Sequence, residues 1–146
     1  MFTIDASVHI NALNPREAGS AESQMCLQRL VATRQPFFSP TLLLVEVAAA
    51  IARVLDDADI ALELTHGIQM LPRQLWIPLN NDMAEMAARL GAQAHLRGAD
   101  AVYAAVARRY GATLITRDQQ QLARLATLVR VMTPEDVLAN LCNEPL

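Results

Sequence analysis

The chain has 146 residues, 53% of them hydrophobic and 18% charged, with a formal net charge of −3. That length and apolar content suit one globular core and exclude disorder; the net charge supplies no global basic field, although a local basic patch stays compatible with it. All 12 basic residues are arginine, so Schiff-base and P-loop lysine chemistry is excluded while bidentate phosphate binding by guanidinium groups is kept.

Cys26 and Cys142 lie far apart with no CxxC motif, and no signal peptide is recognisable. No apolar run reaches the ~18 residues of a membrane span. A single domain over residues 1–146 in a reducing, cytoplasmic setting is therefore expected, with no membrane partner.

In chain order, Phe2-Thr3-Ile4 reads as a short buried strand ending at Asp5, followed by a short helix over residues 6–13 and a loop rich in Asn, Pro and Gly. Apolar residues at helical spacing (Met25, Cys26, Leu27, Leu30, Val31) predict a helix over residues 21–33, which Gln35-Pro36 breaks. Phe37-Phe38 is a second strand. Pro40-Thr41 opens an apolar helix to about Leu55, in which Glu46 is the only charge before Arg53. A polar-faced helix spans residues 56–71, residues 75–79 form a third strand, and Asn80-Asn81-Asp82 caps a helix over about residues 83–95.

The segment LRGADAVYAAVARRYGATLITRD, residues 96–118, is the central feature. Asp100 starts an alanine-rich helix, Gly111 closes it at a C′ position, and residues 113–116 form a buried strand that runs into Arg117-Asp118. A helix over residues 119–126, a strand over residues 128–132 and a terminal helix opened by Thr133-Pro134 complete the chain. Strands alternate with helices throughout. The pattern implies an α/β fold, a three-layer α/β/α domain with a mainly parallel sheet of about five strands.

In such sheets ligands bind beyond the carboxyl ends of the strands, where strand order reverses. Asp5 and Asp118 follow strands, and Glu46 and Asp100 lie on helices that start at the same edge. Four carboxylates thus have a geometric reason to share one pocket. Their repulsion raises pKa values unless a cation neutralises them, and an all-oxygen donor set suits Mg²⁺ or Mn²⁺ ligated at about 2.0–2.2 Å. Each acid has a plainer alternative. Asp5, Asp100 and Asp118 could simply cap the helices that follow them, and Glu46, in an apolar stretch, could pair with an arginine.

These residues resemble a known family. TIDAS at the start, Glu46 within LLLVEVAAAIAR, the segment GADAVYAAVARRYGATLITRD and the closing LVRVMTPEDVL look like a VapC-like PIN-domain nuclease, the kind found as toxins in toxin–antitoxin pairs. The resemblance covers nearly the whole chain. It implies that Asp5, Glu46, Asp100 and Asp118 are the acidic quartet that binds a divalent metal and directs water at an RNA phosphodiester. Ser7 then steadies the first aspartate, and Thr116 is the hydroxyl residue before the last. One departure is that Gln119-Gln120-Gln121 follows Asp118, where many relatives carry a further acid, so a second metal site is weakened or left to substrate.

The expected activity is a Mg²⁺- or Mn²⁺-dependent endoribonuclease; a PIN-fold module that binds RNA or protein without cutting is the alternative. Receiver and haloacid-dehalogenase-like readings fail for want of a lysine, and Asp5-Ala6-Ser7 is not Asp-x-Asp. Arg97 and Arg117 flank two of the acids and are expected to contact RNA phosphate. His9, His66 and His95 lack ligand spacing. Apolar surface between residues 21 and 71 is expected to support a homodimer, and the resemblance implies an antitoxin whose C-terminal segment crosses the acidic pocket.

Overall fold

The computed structural model describes residues 1–143. Among them the elements run β1 (Phe2–Ile4), α1 (Ala6–Leu13), α2 (Ser20–Ala32), β2 (Phe37–Pro40), α3 (Leu42–Leu55), α4 (Ala58–Gln69), β3 (Gln74–Ile77), α5 (Asn81–Ala94), α6 (Gly98–Tyr110), β4 (Thr113–Ile115), α7 (Gln119–Leu125), β5 (Val131–Met132) and α8 (Pro134–Asn143). The five strands form one sheet of order β3-β2-β1-β4-β5. Every pairing is parallel, with Ile4 opposite Ile115 in the β1–β4 ladder and Pro40 opposite Ile77 in the β2–β3 ladder. The chain goes from β1 to one side of the sheet and returns to the other, so strand order reverses at the carboxyl ends of β1 and β4. That is the switch point at which such sheets hold ligands.

Two buried clusters cover the two faces. The larger joins α3, α5 and α6, with Leu43, Val47, Met83, Leu90 and Leu114 at its centre. Residues 101–107 of α6 are all buried, because this helix packs on α5 and also on β1, β2 and β4. Its run of alanines allows that close approach, and Tyr110 at its end stacks on Phe38 with ring centroids 4.3 Å apart. The smaller cluster sets Ile4, Val8, Phe37 and Ile115 against Cys26 and Leu30 of α2 and Val137 of α8. Helices on both faces of a five-stranded parallel sheet make the expected three-layer α/β/α fold.

Several boundaries differ from the sequence reading by one to three residues, and two of the shifts have a clear cause. Phe37-Phe38 extends to Pro40 because Ser39 and Pro40 pair with Trp76 and Ile77 of β3; the β1 ladder meets β2 only at Phe37, so the missing proline N–H interrupts nothing on that side. The last strand shortens to Val131–Met132, since the amides of Leu128 and Val129 bond to the carbonyl of Leu125 and finish α7 instead.

Candidate active site

Asp5 leaves β1 at the sheet edge with its amide donating to the Ile115 carbonyl at 2.9 Å, which fixes it between β1 and β4. It occupies the N-cap position of α1, yet its side chain makes no capping hydrogen bond. Instead its Oδ2 accepts from Ser7 Oγ at 2.5 Å and Thr116 Oγ1 at 2.9 Å. The carboxylate is 5% exposed. Burial raises its pKa, and the two hydroxyl donors, with smaller contributions from the Ser7 and Ala6 amides, only partly oppose this.

The same hydroxyls tie the two strand ends together. Ser7 Oγ also accepts from the Arg117 amide at 3.2 Å, and Thr116 Oγ1 accepts from the Asp118 amide at 3.0 Å. Thr116 thus links the first and last acids through one oxygen. Asp118 does cap a helix: its Oδ1 accepts from the amides of Gln120 and Gln121 at 2.7 and 3.1 Å. Its Oδ2 lies 4.0 Å from Arg97 Nη1.

Glu46 and Asp100 arrive from helices. Glu46 on α3 accepts from the Tyr103 hydroxyl at 2.7 Å. Its pKa is raised by burial first and then by the charges of Asp5 and Asp100, against the pull of Tyr103. Asp100, in the first turn of α6, makes no cap; its Oδ1 accepts from Gln121 Nε2 at 3.0 Å. Burial, Asp5 and Asp118 raise its pKa, while Arg97 and Gln121 act the other way.

Asp5, Glu46, Asp100 and Asp118 line one cavity of about 430 Å³, together with Ser7, Arg53 and Gln121. As placed, no three His, Cys, Asp or Glu side chains among the described residues stand close enough to hold one metal ion. The donor set itself contains only carboxylate, amide and hydroxyl oxygens at this cavity, without imidazole or thiolate, which fits a hard divalent cation that retains water.

The two arginines singled out from the sequence part company. Arg97 has a side chain 72% exposed beside Asp118. Arg117 does not line the cavity. Its guanidinium bonds to Ser23 of α2 at 3.3 Å and to Glu135 of α8 at 3.0 Å, packed against Gly19. In this structure the Arg117 guanidinium forms an internal bridge between α2 and α8 rather than facing the cavity.

Sequence reasoning missed Tyr103, Arg53 and Gln121. Tyr103 lies three residues after Asp100 and Arg53 seven after Glu46, both helical spacings that place them on the acid's own face. Gln121 likewise lies three residues after Asp118, at the start of the helix that acid caps. The histidines stay outside the cavity: His66 and His95 are exposed, and His9 is buried, its pKa lowered to about 4 by desolvation. Burial and Glu135 push the Cys26 thiol up to about 12, so it is an inert core residue.

Several solved structures share this fold. Mycobacterium tuberculosis VapC20, described as a sarcin–ricin loop cleaving toxin, is 20% identical, with a TM-score of 0.71 over 90% of this chain and 98% of that one. FitAcB from Neisseria gonorrhoeae is 21% identical, with a TM-score of 0.68 over 92% and 99% of the two chains. A toxin–antitoxin complex from Klebsiella pneumoniae is also 21% identical, with a TM-score of 0.66 over 92% and 98%. No curated protein is similar enough in sequence to match. A PIN domain family model matches residues 2–128, the span from β1 to just beyond α7, and the chain belongs to the PIN domain family.

Proposed function

We propose that this protein is a Mg²⁺- or Mn²⁺-dependent endoribonuclease that hydrolyses RNA phosphodiesters at the acidic cavity, and that it is the toxin of a toxin–antitoxin pair. The observation that carries the reading is the placement of Asp5, Glu46, Asp100 and Asp118 around one cavity at the sheet's switch point. Asp5 weighs most. It is buried, held by two hydroxyls and released from capping its own helix, an arrangement that stability alone does not require.

Asp5, Asp100 and Asp118 would hold the cation, with Glu46 beside them or acting through water. Bound there, Mg²⁺ or Mn²⁺ supplies an acidified water for attack and neutralises charge on the scissile phosphate. The chain's own groups do the rest. Ser7 and Thr116 keep Asp5 oriented, Tyr103 fixes one oxygen of Glu46, and Gln121 does the same for Asp100. Arg97 and Arg53 offset the acids' repulsion of an entering phosphate. Single-stranded or looped RNA suits a cavity of about 430 Å³, because an unpaired backbone can bend into it.

The antitoxin is proposed on two grounds. Structures of the same fold include toxin–antitoxin complexes, and an apolar groove formed by Ile10, Leu13, Ala50, Val54 and Leu64 adjoins the acidic cavity, sharing Ile10 and Ala50 with it. Val45, Val54, Leu55 and Leu62 are exposed within the stretch expected to form a homodimer. No helix among the described residues is long and apolar enough to cross a membrane.

Purified protein incubated with a pool of structured RNAs and Mg²⁺ or Mn²⁺, beside Asp5→Asn and Asp100→Asn, tests the reading. Cleavage should need the cation and vanish in both variants. Activity that persists in EDTA or in both variants would overturn it. The second reading, a PIN-fold module that binds RNA or protein without cutting, is favoured by one observation, the separation of the acids as placed; RNA binding with no cleavage under any divalent cation would support it.

A further inference from the structure

Gln121 is an unusual residue for a cavity wall. It belongs to α7, where its amide is locked by Asp118 Oδ1, and its side chain is 1% exposed. One end of that side chain is used: Nε2 donates to Asp100 Oδ1 at 3.0 Å. The other end is not, for Oε1 is buried with no hydrogen-bond partner. An amide oxygen left dry and unpartnered is unfavourable, so a native fold normally supplies it with a donor. Swapping the amide's ends offers no escape, because it would press Oε1 against the Asp100 carboxylate.

No group among the described residues supplies the donor, yet Gln121 lines the acidic cavity. The terminal torsion of a glutamine is broad, so Oε1 has freedom to turn towards the cavity that Gln121 lines. A hydrated divalent cation brings with it water molecules that are strong donors and that it gives up reluctantly. A neutral acceptor serves such water without adding a further charge to a cavity that already holds four acids.

We propose that Gln121 is a positioning residue of the cation site: its amide N–H orients Asp100, and its buried amide oxygen accepts a hydrogen bond from a water of the hydrated cation. The inference rests on the cation reading above. It assigns the cavity a hydrated ion, held partly through water on the α7 side, rather than one held by direct protein ligands all round.

Calorimetric titration of Mn²⁺ into the full chain, with no RNA present, tests it in wild type, Gln121→Met and Gln121→Glu. Gln121→Met keeps the length and removes both amide groups; it should weaken Mn²⁺ binding by roughly 10-fold or more while the metal-free melting temperature stays near wild type. Gln121→Glu restores an acceptor; it should bind Mn²⁺ more tightly than Gln121→Met while lowering the metal-free melting temperature through added repulsion. Mn²⁺ affinity in Gln121→Met within twofold of wild type overturns this inference alone, as does Gln121→Glu binding no better than Gln121→Met. Wild type that binds no Mn²⁺ overturns the cation reading and this inference with it.

Discussion

The hydroxyl of Tyr103 donates to Glu46 at 2.7 Å, joining the fully buried middle of α6 to the one acid on α3. Tyr103 is held in its neutral form by desolvation and by the charges of Glu46 and Asp5, so it acts only as a donor. Tyr103→Phe should lower stability by about 1–2 kcal/mol, since a partly buried carboxylate loses its partner. Cleavage should fall about tenfold, the usual effect of losing the group that orients a ligand. A variant with wild-type melting temperature and wild-type rate would show that Glu46 needs no such support.

Neutralising a cavity acid should separate stability from activity. Asp5, Glu46 and Asp100 all have raised pKa values in the fold, burial being the first cause in each case. A carboxyl whose folded pKa lies above its unfolded value favours the fold fully below the unfolded pKa, and that contribution is lost as pH rises through the folded pKa. These three acids should therefore contribute less to the stability of metal-free protein as pH rises from acid towards neutral, and Mg²⁺ should offset that loss. Asp5→Asn keeps an oxygen for Ser7 and Thr116 and removes the charge. At pH 7 without metal its melting temperature should equal or exceed wild type, with cleavage abolished; a large loss of stability would mean that the Asp5 charge is structural.

His9 works in the opposite sense. Its imidazole is 3% exposed, Nε2 has no hydrogen-bond partner, and its pKa falls from 6.5 to about 4. The unfolded chain takes up that proton more readily, so the neutral histidine's contribution is complete above pH 6.5 and is lost as pH falls towards 4. The loss amounts to about 3 kcal/mol. His9→Gln should flatten this acid limb in a melting-temperature profile between pH 7 and 4. An unchanged slope would locate the acid sensitivity elsewhere.

The fold was legible because its signals were local. Ala6–Leu13 formed with the bounds its sequence suggested, and Asn80 caps α5 through a bond to the Met83 amide at 3.0 Å. Asp5 and Asp118 were legible for the same reason, each directly following a strand signal. Arg117 was not. Its neighbours in sequence place it at the site, whereas its partners Ser23 and Glu135 come from α2 and α8, contacts that no spacing within the chain encodes. The unpartnered oxygen of Gln121 was hidden likewise, since it depends on Asp100 taking the other end of the amide.

Gly19 gives a test of the Arg117 bridge. It has φ +79°, and a Cβ added there would lie 1.8 Å from Arg117 Nη2. Gly19→Ala should displace the guanidinium from Ser23 and Glu135 and add left-handed strain, costing about 1–2 kcal/mol. Because the Arg117 amide donates to Ser7, which in turn holds Asp5, cleavage should fall as well. Arg117→Ala should reproduce the loss of stability. If Arg117→Ala leaves stability intact and instead weakens RNA binding, the arginine serves substrate after all.

Arg53 and Arg97 remain as the basic groups able to meet RNA at the cavity. Arg53 lines it, seven residues along α3 from Glu46, and Arg97 stands 4.0 Å from Asp118. Neither is a good stability contact, since Arg97 is mostly exposed and a surface ion pair at that distance contributes little. Their value lies in offsetting a cavity of four acids when phosphate enters. Binding of single-stranded RNA should weaken with salt, each phosphate contact adding about 0.7 to the slope of log K against log salt. Measured in the Asp5→Asn background so that RNA stays whole, Arg53→Gln and Arg97→Gln should each lower that slope by about 0.7 with melting temperatures unchanged. Slopes equal to the parent's in both would place the RNA on another face of the protein.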